Sequence, residues 1–316
     1  MNILITGGFG YLGSYCAEYL SLKGNKVTII GRKIPVYMAE WVKNFNVVIA
    51  DITDEKLLSK LSGNKYDCVI HCAAANEVKC KKLPKESIEI NTYGTENILN
   101  ICTRLGIRRF IYVSTFHVYG SSSLAGTINE KSNIEASTLY GMTHYFGELL
   151  TKRYSNNYDM VGTSIRLANL CTGPLFKEIE RWSIVPNNFI SQAFKSSNIV
   201  INSSGNQTRN FLSIKDLCNA MDIIIKKQKQ RYSVFNIGGE RNYSINEIAE
   251  IVKSVGEELL KGKNIEIIHN QQLNQLNEEM DYVFDISKIK SIGYKPNCNI
   301  KDEIKETFEQ FIESGV

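Results

Sequence analysis

The chain has 316 residues, of which 43% are hydrophobic and 22% are charged, and its formal net charge is +4. This composition is typical of a globular protein with a large core and room for two lobes. Acidic and basic residues are interspersed, without the basic stripe of a nucleic-acid-binding surface. No apolar run reaches the length of a membrane span, and the first predicted strand begins at Met1, leaving no room for a signal peptide. We therefore expect a cytoplasmic protein without nucleic-acid or membrane partners.

A short apolar run followed by a glycine-rich segment opens the chain. Residues 2–6 are predicted as a strand, Gly7, Gly10 and Gly13 follow, and a helix is predicted over 11–23. In this arrangement Gly7 permits a tight turn, Gly10 lets the backbone approach a pyrophosphate, and Gly13 lets the helix pack closely. The positive end of the helix then faces the phosphates. The pattern predicts a dinucleotide-binding turn.

Strands and helices alternate through the first half of the chain. The predicted strands are 2–6, 26–31, 46–50, 67–72, 108–114 and 159–167. The predicted helices are 11–23, 54–61, 85–104 and 138–156. The strands are continuous apolar runs, as expected when both faces of a sheet are covered. With right-handed crossovers, this order predicts a doubly wound parallel α/β sheet, the Rossmann fold.

The alternation loosens after about residue 170, and polar loops lengthen. The later predicted elements are helices near 213–227, 244–260 and 301–313 and a strand at 232–237. We predict a dinucleotide-binding domain of residues 1–171 and 206–237. The remaining residues, 172–205 and 238–316, are predicted to form a smaller, discontinuous α/β substrate-binding lobe. The polar stretch 271–279 is expected to be mobile.

The cysteine pattern does not predict a metal site. Cys68, His71, Cys72 and Cys80 lie close in sequence, but His71 faces the opposite side of the predicted strand from Cys68 and Cys72. Free cysteines inside strands and helices are expected to behave as small apolar residues.

Segments over nearly the whole length resemble the extended short-chain dehydrogenases/reductases of the sugar-nucleotide epimerase/dehydratase group. The segments that carry the resemblance are 6–13, 51–52, 69–74, 91–95, 113–120, 140–144, 166–169 with 173–174, and 205–211 with Asp216. The resemblance implies a set of residues that bind a nicotinamide dinucleotide. These residues are Gly7, Phe9, Gly10, Tyr11, Leu12, Gly13, Arg32, Asp51, Ile52, Cys72, Ala73, Ala74 and Asn91.

The same resemblance implies the catalytic pair. Tyr140 is the general acid/base, since a phenol can protonate a carbonyl oxygen as hydride arrives, or accept the proton when an alcohol is oxidised. Thr115 holds the same oxygen through its hydroxyl. Tyr119, which ends the neighbouring motif, is interpreted as a packing residue.

The sequence departs from the family pattern four residues after Tyr140, where His144 replaces a lysine. Positions four apart share a helix face, so the imidazole takes the place of the ammonium group. With a reference pKa of about 6.5, a histidine is mostly uncharged near neutrality, yet it can hydrogen-bond a ribose hydroxyl. When protonated, it would also favour ionised Tyr140. We therefore place His144 in the catalytic set, with a site specialised away from turnover as the alternative.

The end of the second predicted strand bears on cofactor choice. NAD-binding relatives carry an acid there for the adenosine ribose, whereas this chain has Gly31, Arg32 and Lys33. A guanidinium suits a 2′-phosphate, so NADP is predicted, with NAD as the alternative.

Substrate expectations follow from the resemblance as well. Asn169 and Arg209 stand where the group binds the diphosphate of a nucleotide-linked sugar, although no arginine shortly precedes Phe284. Phe116 and His117 follow Thr115 where dehydratases carry an acid pair, which argues against dehydration.

Three functions remain open at this stage. The leading one is NADP-dependent reduction of a 4-keto nucleotide sugar, and the second is 4-epimerisation with tightly bound NAD. The third is a non-catalytic NAD(P)-binding regulator. Helices 85–104 and 138–156 pair across a dimer in this group, so a homodimer is expected.

Overall fold

A computed structural model describes the chain except for residues 55, 57–58, 121–125, 271–281 and 315–316. Its strands are β1 Asn2–Thr6, β2 Lys26–Gly31, β3 Asn46–Ile49, β4 Cys68–His71, β5 Arg109–Thr115, β6 Gly126–Ile128, β7 Val161–Leu167, β8 Asn169–Leu170, β9 Asn198–Ile201, β10 Thr208–Leu212, β11 Tyr232–Ile237, β12 Asn242–Ser244, β13 Glu266–His269 and β14 Tyr282–Phe284. Its α-helices within the described residues are α1 Tyr11–Leu22, α2 Glu77–Lys82, α3 Pro84–Ile88, α4 Thr95–Arg104, α5 Leu139–Asn157, α6 Val185–Ser196, α7 Ile214–Lys227, α8 Ile245–Leu259, α9 Ser287–Ser291 and α10 Ile300–Ser314.

Seven parallel strands form the central sheet, in the order β11-β7-β5-β4-β1-β2-β3. β1 lies in its middle, with Ile3 opposite Val27 of β2 and Cys68 of β4. Ile3, Leu4 and Ile5 are all buried, because helices cover both faces of the sheet. The predicted doubly wound Rossmann fold is confirmed.

The predicted helix 85–104 is interrupted. α3 begins at Pro84, the π-helical turn Glu89–Gly94 follows, and α4 continues from Thr95. Pro84 lacks an N–H group and is well placed in a first helical turn. The separate helix α2 was not predicted, although Asn76 caps it by accepting a hydrogen bond from the Lys79 N–H at 2.9 Å.

Two of the segments predicted from the sequence fall partly or wholly on residues that the structure does not describe. Of the predicted helix 54–61, residues 55 and 57–58 lie outside the described part of the chain, and Ser59–Leu61 is a 3-10 turn. The stretch 271–279 lies wholly outside it.

Beyond β7, the chain contains elements that the sequence pattern did not reveal, including α6 and β9. β8, β10 and β12 form a three-stranded sheet, β9 pairs with β13, and β6 pairs with β14. Phe189, Ile248 and Phe308 bring α6, α8 and α10 together in one apolar cluster. β10 lies within the predicted dinucleotide-binding range 206–237 but pairs with this small sheet. In the described part of the chain, no helix is both long and apolar enough to cross a bilayer.

Candidate active site

A cleft of about 1110 Å³ runs along the carboxyl ends of the central strands. The chain segments that follow β1, β2, β4, β5 and β7 all contribute to its wall, as in other open α/β sheets. Every site residue predicted from the sequence lines this cleft except Asn91. Asn91 is buried behind the wall, where its carboxamide accepts a hydrogen bond from the Ala75 N–H at 2.6 Å and donates one to Thr143 at 2.9 Å. It therefore supports the loop after β4.

The glycine turn after β1 leaves room for a phosphate. Gly7 has φ +67°, and a Cβ there would lie 2.9 Å from the Ala73 backbone. The Gly10 N–H donates to the Gly7 carbonyl at 2.9 Å, and a Cβ on Gly10 would point into space limited only by that carbonyl. No side chain caps the N-terminus of α1, so its first N–H groups are left for a ligand. The cradle fits a dinucleotide pyrophosphate.

Phe9 explains why a glycine ends β2. A Cβ on Gly31 would lie 2.2 Å from the Phe9 ring, so the ring fills the space that an acidic side chain would need. Arg32 and Lys33 follow, exposed, on the wall of the same cleft.

Tyr140 and Thr115 meet at the end of β5. The Thr138 side chain accepts a hydrogen bond from the Gly141 N–H at 3.1 Å, which starts α5 and fixes Tyr140 in its first turn. Burial raises the pKa of the Tyr140 phenol, against the opposing effects of the Arg181 charge and a hydrogen bond with Thr115. The pair supplies a proton donor or acceptor beside a second hydroxyl.

His144 lies one helical turn beyond Tyr140. It is 3% exposed, and its Nδ1 atom is 3.4 Å from the Tyr112 hydroxyl. Its Nε2 atom has no hydrogen-bond partner among the described residues. Burial lowers the pKa of His144 to about 4, so the ring is neutral at physiological pH. Protonated His144 therefore does not support ionised Tyr140 near neutrality.

Tyr119 packs away from the cleft. Its hydroxyl donates to the Asn236 side chain at 2.6 Å and accepts a hydrogen bond from Arg166 at 2.9 Å. Arg166 also forms a buried ion pair with Glu148 at 2.7 Å, and Ser114 donates to the same carboxylate. This network supports β5 from behind. The motif Arg166–Asn169 gave no sign of Glu148 as a partner.

The residues predicted to bind substrate lie on the small sheet. Asn169 on β8 donates to the Asn210 carbonyl at 3.2 Å, and Arg209 lies on the neighbouring strand β10. Asp216, part of the same resemblance, instead accepts hydrogen bonds from the Asn297 and Cys298 N–H groups. It ties α7 to the segment before α10.

Sequence reasoning missed Arg181 and gave His117 no role. Both line the cleft, and the His117 ring centroid is 5.7 Å from that of Tyr140. Arg181 lies in a segment without a predicted element or motif, so no pattern singled it out. His71, considered above as a metal ligand, uses its two ring nitrogens on Thr6 and Thr95.

A parallel sheet with an uncapped glycine turn and a Tyr–Thr pair in one cleft defines a Rossmann-fold dinucleotide-binding protein. The chain belongs to the NAD dependent epimerase/dehydratase family, whose sequence profile matches residues 3–238. Family membership supports an NAD-dependent enzyme.

Individual relatives agree with this assignment. The dTDP-D-glucose 4,6-dehydratase of Dictyostelium discoideum is 30% identical over 278 residues, which cover 80% of this chain and 62% of that protein. This chain thus spans less than two thirds of that relative's length. UDP-glucose 4-epimerase of Thermotoga maritima, solved with UDP-glucose, has the same fold, with a TM-score of 0.88, 23% identity and full coverage of both chains. UDP-glucuronic acid 4-epimerase from Bacillus cereus, solved with UDP-glucuronic acid and NAD, has a TM-score of 0.79 and 25% identity, covering 98% of this chain and 100% of its own.

Proposed function

We propose that the protein catalyses oxidoreduction at a secondary alcohol or ketone of a nucleotide-linked sugar, and that its main reaction is reduction of a 4-keto group with NADPH. The observation that carries this proposal is the Tyr140–Thr115 pair in the wall of the cleft that also contains the glycine turn. A phenol and a hydroxyl at one point provide both proton transfer and orientation of a single substrate oxygen.

The dinucleotide would be held by the glycine turn and α1 at its pyrophosphate. Asp51 and Ile52 lie at its adenine end by resemblance, with Cys72, Ala73 and Ala74 on the wall after β4. When bound, the nicotinamide would supply or accept the hydride.

The residues of the chain would handle the proton and the position of the sugar. Tyr140 donates its phenolic proton to the carbonyl oxygen during reduction, and Thr115 holds that oxygen by a hydrogen bond. His144 Nε2 would bind a hydroxyl of the nicotinamide ribose. Asn169 and Arg209 would bind the diphosphate of the sugar nucleotide, Arg209 through charge-assisted hydrogen bonds.

NADP is favoured over NAD by the end of β2. The Phe9 ring occupies the space that an acidic side chain at position 31 would need, and Arg32 and Lys33 offer cations instead. A 2′-phosphate can accept charge-assisted hydrogen bonds from a guanidinium, whereas a 2′-hydroxyl gains less from it.

A second candidate is 4-epimerisation with NAD kept bound. It is supported by the Bacillus cereus epimerase, which is 25% identical over almost the whole chain and holds NAD. Dehydration is disfavoured, since Phe116 and His117 follow Thr115 and neither offers a carboxylate.

We further propose a homodimer through α4, α5 and the π-helical turn between α3 and α4. Three large apolar side chains on α5 are between 44% and 51% exposed in the monomer: Met142, Phe146 and Leu149. Apolar patches of this kind mark association surfaces.

One experiment separates the candidate functions. The purified protein is denatured and its released dinucleotide is identified by mass spectrometry, and fresh protein is then given NADPH or NADH with a nucleotide-linked 4-keto sugar. Stoichiometric loss of NADPH with formation of the alcohol supports the reductase. NAD retained through purification, with interconversion of 4-epimers and no net cofactor use, supports the epimerase. Tight dinucleotide binding without turnover of any nucleotide sugar would contradict both and favour the non-catalytic regulator.

A further inference from the structure

Two thiols and a carboxylate lie close together outside the lining of the cleft. They belong to Cys171, which follows β8, to Cys298, which precedes α10, and to Glu303 in the first turn of α10. The two sulfur atoms and a carboxylate oxygen all lie within 4.8 Å of one another. Cys171 is 1% exposed and Glu303 is 5% exposed, whereas Cys298 is partly exposed. The group is therefore buried but can be reached from solvent on the side of Cys298.

Hydrogen bonds of the main chain hold both thiols in place. The Cys171 N–H donates to the Leu212 carbonyl at 3.1 Å and continues the pairing of β8 with β10. The Cys298 N–H donates to the Asp216 carboxylate at 3.0 Å, so α7 fixes the segment before α10. The two sulfur atoms are therefore brought together by elements that are far apart in the sequence.

The carboxylate is oriented by a neighbouring hydroxyl. Thr172 Oγ1 accepts a hydrogen bond from the Ile214 N–H at 2.9 Å and donates one to Glu303 Oε2 at 2.7 Å. Since the first bond uses the hydroxyl oxygen as an acceptor, its single proton is directed to the carboxylate. Carboxylates that bind metal ions are held by outer hydrogen bonds of this kind.

The buried carboxylate of Glu303 has little positive charge beside it. Lys215 Nζ lies 3.9 Å from it but 2.5 Å from the Glu306 carboxylate, so the ammonium group is drawn to the neighbouring acid. The Lys215 side chain is also 57% exposed, and water screens the attraction that remains. A buried carboxylate is costly unless its charge is compensated, and a metal ion would compensate it.

The donor set matches a thiophilic divalent cation such as Zn²⁺. Thiolates select zinc over magnesium and calcium, which prefer six or more oxygen ligands. In a tetrahedral site with zinc–sulfur bonds of about 2.3 Å, neighbouring ligand atoms are about 3.6–3.8 Å apart. The three ligand atoms of this group therefore need to approach one another by at most about 1 Å, a small adjustment of side-chain torsions.

We propose that Cys171, Cys298 and Glu303 form a binding site for one zinc-like divalent cation, with water as the fourth ligand on the side of Cys298. When the metal binds, the two thiols release their protons to solvent and both sulfur atoms ligate as thiolates. The site lies outside the cleft and does not depend on the proposed reaction.

The position of the site gives the metal a structural role. The Gly173 N–H donates to the Thr307 hydroxyl on α10 at 2.9 Å, so the loop after β8 already rests on that helix. The Asn187 side chain joins the same loop to the cleft wall, because it donates to the carbonyls of Thr172 and Arg181 at 3.2 Å. A metal ion would fasten this loop to α10 by bonds to side chains from both.

A second thiol pair provides a comparison within the same chain. Cys218 Sγ on α7 lies 3.9 Å from Cys16 Sγ on α1, and both residues are buried. In the described part of the chain, the metal-ligand geometry of three His, Cys, Asp or Glu side chains is met at Cys171, Cys298 and Glu303 and not at this pair. We therefore expect metal at the first group and none at the second.

The test is a titration of the full chain with Co²⁺, a spectroscopic substitute for Zn²⁺. The protein is reduced, stripped of metal with a chelator, freed of both reagents and titrated without oxygen. One equivalent of Co²⁺ should produce a thiolate-to-cobalt charge-transfer band in the near ultraviolet and visible bands of a tetrahedral ion. Zn²⁺ should then displace the cobalt and bleach both. In a separate thermal-unfolding series, Tm should rise with the concentration of free Zn²⁺, because the folded state binds it.

Variants locate the metal. Cys298→Ser should remove the charge-transfer band and weaken Co²⁺ binding by more than about a hundredfold, since loss of an outer partner alone costs about 10–100-fold. Glu303→Gln should keep the band and weaken binding by about tenfold or more, because both thiolates remain. The controls are Cys218→Ser in the other thiol pair and Asp302→Asn, an exposed carboxylate next to Glu303 in α10. Both should bind Co²⁺ as the natural protein does.

Several outcomes would overturn the proposal. One is a reduced natural protein that gives no charge-transfer band, and another is a band that survives in folded Cys298→Ser. A band lost in Cys218→Ser would place the metal at the Cys16–Cys218 pair instead. A Cys171–Cys298 disulfide that persists in the zinc-supplied protein, found by peptide mass mapping, would make the two thiols a redox pair. If Cys298→Ser folds poorly by circular dichroism, Cys298→Ala repeats the test without a hydroxyl.

Discussion

The rings of Tyr140 and His144 lie edge to face, with their centroids 4.4 Å apart. The contact brings a neutral imidazole to the position where the resemblance predicts an ammonium group. Because burial keeps the imidazole neutral near physiological pH, the ring does not supply the charge that a lysine would supply.

The first prediction concerns His144 as a hydrogen-bonding group. His144→Ala should slow alcohol oxidation by about tenfold or more, since the nicotinamide ribose loses an orienting contact. Steady-state rates with saturating cofactor measure the effect. His144→Lys should keep or raise activity, because an ammonium group both binds the ribose and stabilises ionised Tyr140. An unchanged rate of alcohol oxidation in His144→Ala would show that the imidazole has a packing role and does not orient the ribose.

Acid stability gives a second prediction, because two buried histidines are held neutral. Burial lowers the pKa of His71 to about 3 and that of His144 to about 4, below the unfolded value of about 6.5. Between these values the unfolded chain binds more protons, so stability is complete above pH 6.5 and falls as pH drops towards 4. Each histidine contributes a slope of about 1.4 kcal/mol per pH unit. Urea unfolding between pH 4.5 and 6.5 should show a slope smaller by about 1.4 kcal/mol per pH unit in His144→Gln, and an unchanged slope would contradict the prediction.

The sequence was most informative at positions where the backbone conformation or the chemistry permits only one residue type. The strand and glycines of β1 and α1 were predictable because Gly7 occupies a left-handed turn and Gly13 packs on the Gly7 carbonyl. The continuous apolar strands predicted the parallel sheet, because such strands are expected where both faces of a sheet are covered. The elements beyond β7 were not predictable in the same way, since α6 and β9 are stabilised by contacts with α8, α10 and β13, which are distant in the sequence.

The same distinction applies to the site. Tyr140, Thr115 and His144 lie in short motifs, and the structure brings them to one cleft. Arg181 has no motif, and only the folding of the loop between β8 and α6 brings it into the cleft. Asn91 lies in a motif but supports Ala75 and Thr143 instead of lining the cleft. A motif therefore indicates that a residue matters without distinguishing contact with a ligand from support of the wall.

A third prediction concerns cofactor choice. Arg32→Ala should weaken NADP binding by about tenfold to a hundredfold, the effect of losing a charge-assisted contact of roughly 1.5–3 kcal/mol, and should change NAD binding little. Titration with both dinucleotides, followed by fluorescence or calorimetry, measures this. Gly31→Asp alone should destabilise the fold, because its Cβ would overlap the Phe9 ring, whereas Gly31→Asp with Phe9→Ala should bind NAD more tightly. Stronger binding of NAD than of NADP by the natural protein would refute the assignment.

The dimer surface gives a fourth prediction. Phe146→Glu on α5 should shift the protein from dimer to monomer in sedimentation equilibrium, because the charge would be buried between two copies. Phe146 is about half exposed in the monomer, so the substitution should leave folding intact. Lys152→Glu serves as the control, because it introduces a glutamate at an exposed position of the same helix. A natural protein that is monomeric at every concentration would rule out the proposed dimer.

The last prediction assigns the proton donor. Tyr140→Phe should keep dinucleotide binding but slow hydride transfer by about 10²–10⁴-fold, because only the proton donor is lost. Thr115→Val should slow it less, since Tyr140 still holds the substrate oxygen. Tyr119→Phe is a matched control: it removes another tyrosine hydroxyl near the end of β5, one that donates to Asn236 and accepts from Arg166 outside the cleft. That variant should lose stability, by about 1 kcal/mol or more for the buried hydrogen bonds, while its single-turnover rate per folded molecule stays unchanged. Full single-turnover activity in Tyr140→Phe, or a loss in Tyr119→Phe as large as the one expected for Tyr140→Phe, would move the acid/base function to Tyr119 or to another group.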